Sequence, residues 1–147
     1  MENMLLLLLA FVAGATGPVQ AGVNSRLRES WAGDAVTATF VSFLVGTLVL
    51  LGYLLATRAP WPGSFSRVPL WHWSGGVIGA FFVTITVFLA WRLGATTMFA
   101  LLVAGQLAAS LALDHFGLLG YPVQQLNWQR VLGVALLMAG VVLVRRS

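Results

Sequence analysis

The order of apolar and polar positions divides this chain into five long apolar runs. A bilayer core about 30 Å thick needs about 20 apolar residues per helix, and the runs are close to that length. The first, residues 4–22, holds no charge. The polar patch Asn24-Ser25-Arg26-Leu27-Arg28-Glu29-Ser30 follows it, and the second run covers residues 35–56. A loop with Pro60, Pro62 and Pro69, where continuing a helix is costly, leads to the third at residues 70–91. Only Arg92-Leu93-Gly94 separates that run from the fourth, residues 95–113. The fifth covers residues 131–144, reaches back to Trp128 when extended, and closes on Arg145-Arg146. Alternation of period two, the mark of a membrane β-barrel, is absent. The pattern predicts an all-α integral membrane protein: one domain over residues 1–147 with five transmembrane helices.

Composition narrows the class further. Of the 147 residues 59% are hydrophobic and 8% charged, against about 45–50% and about 25% in a soluble domain. So few charges cannot cover a water-facing surface, which excludes a soluble enzyme, a nucleic-acid binder and a secreted disulfide scaffold. There is no cysteine, hence no thiolate metal site. The sequence pI of about 11.2 comes from eight basic residues, all Arg. They stand singly or in pairs at the edges of the apolar runs, as membrane anchors do and as a nucleic-acid groove does not. Trp61, Trp71, Trp73, Trp91 and Trp128 also lie near span ends, where indoles anchor at the headgroups. Leu5 to Val12 has the look of a signal-peptide core, with Val19-Gln20-Ala21 as a cleavage site. The residues before that core include Glu2 and no Arg or Lys, which favours a retained helix.

The arginines orient the chain weakly. Arg26, Arg28, Arg92, Arg145 and Arg146 share one side of the membrane, and Arg58, Arg67 and Arg130 the other. The positive-inside rule acts on such asymmetries, and five against three is a small one. The expectation is a chain able to insert both ways round.

Against the apolar background a few polar side chains stand out, because hydrocarbon offers them no water. In the first span Gly14, Gly17 and Pro18 are expected to interrupt the helix. Gln20, Asn24 and Arg28, four apart, share a face. A broken helix beside a glutamine is one way transporters expose backbone to substrate; a harmless kink with interfacial capping is the plainer reading. The fourth span repeats the spacing with Gln106, Ser110 and Asp114. Gln106 lies mid-span and needs partners, either across a cavity or in a helix-to-helix hydrogen bond worth about 1 kcal/mol. Asp114, at the helix end, fits an arginine partner better than proton coupling. In the second span Ser42 and Gly46 offer a small face. Gly75 and Gly79 in the third span, and Gly133 and Gly140 in the fifth, read as helix packing. Thr37, Thr39 and Thr47 can bond their own helix carbonyls and are weak signals.

Enzymatic constellations are missing: no metal-ligand spacing, no nucleophile elbow, no phosphate loop. Gly75-Gly76-x-x-Gly79 lies inside an apolar run and cannot be a dinucleotide turn. The expectation is a non-enzyme without cofactors.

The series Gly17-x-x-Gln20-x-x-x-Asn24-x-x-Leu27, Ser42-Phe43-x-x-Gly46-Thr47 and Gly75-Gly76-x-x-Gly79 resembles the YdcZ-like family of bacterial inner-membrane proteins. Arg92-Leu93-Gly94-Ala95, Gly105-Gln106-x-x-x-Ser110 and Asp114-x-x-Gly117 continue that resemblance across nearly the whole chain. The family belongs to the drug/metabolite transporter superfamily. The resemblance implies an inner-membrane location, a transport role, and a five-span unit paired with an inverted copy. That pairing would be an antiparallel homodimer, a paralogous pair or a fused ten-span chain. An odd span number keeps one chain from holding two inverted halves, and a weak arginine bias would let two copies insert in opposite directions and meet as such halves. One departure matters: related small multidrug exporters depend on an acidic residue in the first span, where this chain has Gln20 and reaches Glu29 only beyond the run. A neutral or zwitterionic solute would suit this site; otherwise Glu29 and Asp114 are the candidates for coupling. The reading is a secondary transporter of a small solute, with Gln20, Asn24, Ser42, Gln106 and Ser110 binding substrate. A non-transporting membrane scaffold and a passive channel subunit are the alternatives.

Overall fold

The structure is a computed structural model and describes residues 2–60, 63 and 68–146. Trp61, Pro62 and Arg67 lie outside the described residues. Those described form five long helices: α1 Glu2–Leu27, α2 Ala35–Ala56, α3 Ser74–Leu93, α4 Ala95–Phe116 and α5 Trp128–Arg146. All five are long and apolar enough to cross a membrane, and no strand occurs among the described residues. The chain clusters into two compact units, residues 1–92 and 93–147.

In the first unit, α1 is continuous through Pro18, so the expected interruption at Gly14, Gly17 and Pro18 does not occur. Pro18 removes one backbone donor and would crowd the carbonyl four residues earlier. That earlier residue is Gly14, and α1 nonetheless stays helical on both sides of the proline. Nearby, the Thr16 hydroxyl donates to the Ala13 carbonyl at 2.7 Å. The helix also runs past Gly22, where the apolar run ends, to Leu27, and widens into a π-helical turn, Arg28–Ala32. Gly33 closes that turn, its N–H donating to the Arg28 carbonyl at 2.9 Å. Its φ of +81° is a conformation that suits glycine.

Asp34 then starts α2. Its carboxylate accepts from the backbone N–H of Val36 at 2.8 Å and of Thr37 at 2.9 Å. The Thr37 hydroxyl donates to it as well, at 2.6 Å. These bonds satisfy amide donors left over at a helix start. They also hold the Asp34 carboxyl below its ordinary value of 3.8, the Thr37 hydroxyl contributing most. The core of this unit is small: Ala38, Val83 and Val87 are buried, with Leu27, Ala32, Ala35 and Phe82 packed around them. Small residues let helices approach closely where lipid supplies no hydrophobic drive. At Gly79 a Cβ would make ordinary contact with the Phe43 ring, at 3.5 Å. The earlier part of α1 is different. Residues 4–16 are all exposed, Phe11 at 77%, so α1 packs within its unit only near its C-terminal end.

The second unit is the α4–α5 hairpin. Gly94, with φ +73°, precedes α4, and Gly117, left-handed at φ +59°, ends it, donating its N–H to the Leu113 carbonyl. The connecting segment folds back over that end. A Cβ on Gly117 would stand 2.7 Å from a Val123 methyl. The N–H of Gln124 donates to the Asp114 carbonyl at 2.8 Å, and that of Leu126 to His115 Nδ1 at 3.4 Å. Asn127 opens α5 by accepting the N–H of Arg130 at 2.9 Å.

Candidate functional site

The predicted polar residues fall into two groups, one in each unit. In the first, Gln20, Asn24 and Arg28 lie one turn apart along α1, but their surroundings differ. Gln20 is exposed and makes no hydrogen bond among the described residues. Asn24 is 3% exposed, and its amide nitrogen is buried with no acceptor. That is unusual, because a buried donor left unsatisfied costs about 1–3 kcal/mol. Arg28 is mostly covered, its side chain 17% exposed. Its guanidinium lies 5.3 Å from the centre of the Trp91 ring and 3.9 Å from Glu29. Arg26 approaches the same carboxylate at 3.4 Å. Glu29 is thus held by two arginines.

Ser42 is half-buried on α2. A cavity of about 320 Å³ lies in this unit between α2 and α3, lined by Val36, Thr39, Phe40, Phe43, Ala80 and Thr84; Ser42 does not line it. Three threonine hydroxyls are spent on their own helices. Thr39 donates to the Ala35 carbonyl at 2.8 Å, Thr47 to that of Phe43 at 2.8 Å, and Thr86 to that of Val83 at 2.8 Å. Gly46 and Gly75 have open space around them.

In the second unit Gln106 stands eleven residues into α4 and ten from its end, exposed and without a hydrogen bond among the described residues. Ser110 and Asp114 line a cavity of about 320 Å³ with Leu107, Leu111, Arg130, Gly133, Val134 and Leu137. Asp114 pairs with Arg130 at 3.4 Å, both about a third exposed. Arg130 also donates to the side-chain oxygen of Gln124. A second cavity, about 390 Å³, continues along the hairpin between Phe99, Ala100, Val103, Leu137, Gly140, Val141 and Val144. Gly133 and Gly140 each have open space where a Cβ would be. Trp71, Trp73, Trp91 and Trp128 are exposed near helix ends.

Sequence reasoning placed Asp114 beside an arginine without finding which one. Arg130 and Gln124 reach it only because the segment after Gly117 folds back, and nothing local signals that. For Asn127 and Asp34 the signal that could have found them is local, a capping side chain just ahead of an apolar run.

Five helices, each long and apolar enough to cross a membrane, define an integral membrane protein. The chain matches the family described as "Putative inner membrane exporter, YdcZ" over residues 5–143. It is 30% identical to the inner membrane protein YdcZ of Escherichia coli (strain K12) over 148 residues, which cover 99% of this chain and 98% of that protein. No solved structure matches. The chain belongs to the YdcZ family of bacterial inner-membrane proteins.

Proposed function

We propose that this chain is a secondary transporter of a small neutral or zwitterionic solute, working as an antiparallel pair of five-span chains. Gln20, Ser42, Gln106 and Ser110 would line the cavity between the two copies, and Asn24, buried within the chain, would support that lining from the same face of α1. One half rocking against the other would give alternating access.

Gln106 carries this reading. At 1.5 Å per residue it stands about 15 Å from either end of α4, the depth of the bilayer centre. Its amide is exposed on the surface of the chain, and an amide in hydrocarbon without a partner costs roughly 2–7 kcal/mol. A second copy or a wet cavity between copies would remove that cost. Gln20, exposed and unbonded on α1, supports the same conclusion. The family's description as an exporter supports transport over a scaffold. Neither Glu29 nor Asp114 stands free as a proton carrier, since arginines hold both. That supports a neutral site.

The test uses vesicles reconstituted with the purified chain and challenged with a panel of labelled amines, amino acids and neutral metabolites. The wild type is expected to carry at least one solute down an imposed gradient faster than protein-free vesicles do. Gln106→Leu should abolish that movement while leaving the dimer intact on cross-linking. Undiminished transport by that variant would overturn the site. Cysteines introduced near Trp31 and Trp128 should cross-link between two copies if they run antiparallel.

A further inference from the structure

The segment between α4 and α5, residues 117–127, holds no Asp, Glu, Lys, Arg or His. The other connections longer than one residue, 28–34 and 57–73, carry at least two charged residues each. In place of charge this segment presents apolar side chains. Leu118, Leu119, Tyr121, Val123 and Leu126 are all exposed, and so are Phe116 and Trp128 on either side of it. Exposed apolar side chains gathered in one stretch mark a surface that meets protein or lipid.

The segment does not project away from the hairpin. Gly117 at φ +59°, Leu119 at +57° and Gly120 at +85° turn the chain back, and residues 123–126 return beside the last turn of α4. There the Gln124 N–H donates to the Asp114 carbonyl at 2.8 Å, and that of Leu126 to His115 Nδ1 at 3.4 Å. A Val123 methyl stands 2.7 Å from where a Cβ on Gly117 would be. These contacts fix a depth, because residues 123–126 share the level of Asp114 and His115. α4 has 22 residues and α5 has 19, lengths of about 33 Å and about 28 Å at 1.5 Å per residue. A hydrocarbon core about 30 Å thick takes up nearly all of either helix. The end of α4 and the start of α5 therefore lie at the edge of that core. Val123, 67% exposed, and Leu126 lie there with them, not beyond it in water.

Backbone at that depth needs partners for its polar groups. The Tyr121 N–H donates to the Leu118 carbonyl at 3.1 Å, Pro122 has no N–H to satisfy, and Gln124 and Leu126 donate to the end of α4. Of the three side-chain amides, Gln124 accepts from the Arg130 guanidinium and Asn127 from the Arg130 backbone, which leaves Gln125 for the headgroups. The nearest acidic and basic residues, Asp114 and Arg130, are paired with each other. Polar groups thus turn toward the hairpin and apolar ones away from it. We propose that the α4–α5 segment is inserted in the bilayer interface, with Val123 and Leu126 among the first carbons of the acyl chains. Lipid is the occupant, not a second copy, because the apolar stretch continues into Phe116 and Trp128 at the ends of two spanning helices. Tyr121 and Trp128 supply the rings that settle at the headgroup level. The segment offers no charge of its own, so insertion does not depend on the charge of the headgroups. Nor does it depend on the transport reading.

The chain has no cysteine, so single nitroxide labels can be attached to Val123→Cys and to Leu126→Cys. The full chain is placed in vesicles of phosphatidylethanolamine and phosphatidylglycerol. Collision of the label with oxygen, which concentrates in hydrocarbon, is compared with collision with a water-soluble nickel chelate by power-saturation electron paramagnetic resonance. The oxygen-to-nickel ratio at both positions is expected to be several times that of the same label on glutathione free in buffer. A ratio no higher than that of the free label puts the segment in water and overturns the proposal. Protection from both reagents would overturn it too, because protein would then cover the segment. Val123 packs on Gly117; should its variant fold poorly, Leu126→Cys, which keeps the backbone bond to His115, gives the same reading.

Discussion

Asn24 offers the sharpest test of whether the polar residues are kept for function or for folding. Its side chain is 3% exposed, and the amide nitrogen has no acceptor. Leucine has a similar shape and no donor. If nothing in the folded chain satisfies the amide, Asn24→Leu removes an unsatisfied group worth about 1–3 kcal/mol. Imperfect refitting of a branched side chain of this size returns less than about 1.5 kcal/mol of that. The variant is therefore expected to fall between about 0.5 kcal/mol less stable and about 3 kcal/mol more stable than the wild type. Gln20→Leu, one turn earlier and exposed, should change stability by less than about 0.5 kcal/mol. The assay is reversible unfolding in mixed micelles of rising sodium dodecyl sulfate, followed by far-ultraviolet circular dichroism. The same Asn24→Leu protein should lose solute movement in vesicles. A fold made more stable by losing a residue that its activity requires identifies a functional group. Destabilisation of Asn24→Leu by more than about 1 kcal/mol would refute this reasoning, because the amide would then be holding the fold together.

Other perturbations bear on the remaining elements. Gly117→Ala puts a Cβ 2.7 Å from a Val123 methyl at a φ of +59° and should cost about 2–4 kcal/mol, left-handed strain plus overpacking. Adding Val123→Ala should recover the overpacking part alone in the same unfolding assay. Trp91→Leu removes the ring facing Arg28 and should cost about 0.5–2 kcal/mol; Trp91→Phe should keep part of that contact. The hydrogen bonds that depress Asp34 below its ordinary value of 3.8 set a sign with pH. Their stabilisation is fully present above that ordinary value and lost as pH falls through the lower folded value. The thermal midpoint should therefore drop on acidification into that window for the wild type, with a smaller drop for Asp34→Asn.

The helices were legible because a membrane span needs so little local information. A run of apolar residues near 20 long fixes both element and environment. Residues 35–56 match α2, Ala35–Ala56, end for end. The start of the chain was less legible. Pro18 and two glycines argued for a break, yet α1 runs through all three, as membrane helices holding a proline can. The polar patch after Gly22 stays helical as far as Leu27, because Asn24 and Ser25 are buried there. Spacing put Gln20 and Asn24 on one face correctly. It could not say that one would be exposed and the other covered, which depends on where α1 meets its unit. Similarly, the spacing of Ser110 and Asp114 was visible, while Arg130 joins them through a turn with Leu119 at φ +57° and Gly120 at φ +85°. No pattern of hydrophobicity encodes that turn.

The central claim is that the mid-span amides face water between two copies instead of lipid. The absence of cysteine allows a direct measurement with single introduced thiols. Gln106→Cys should react readily with a charged, membrane-impermeant thiosulfonate in intact vesicles, since only a hydrated thiol forms the reactive thiolate. Phe11→Cys, exposed on the wholly apolar part of α1, should stay unmodified under the same conditions. Reaction at residue 106 and none at residue 11 is the predicted result. Equal protection of both would place Gln106 against lipid or in a dry interface and contradict the account.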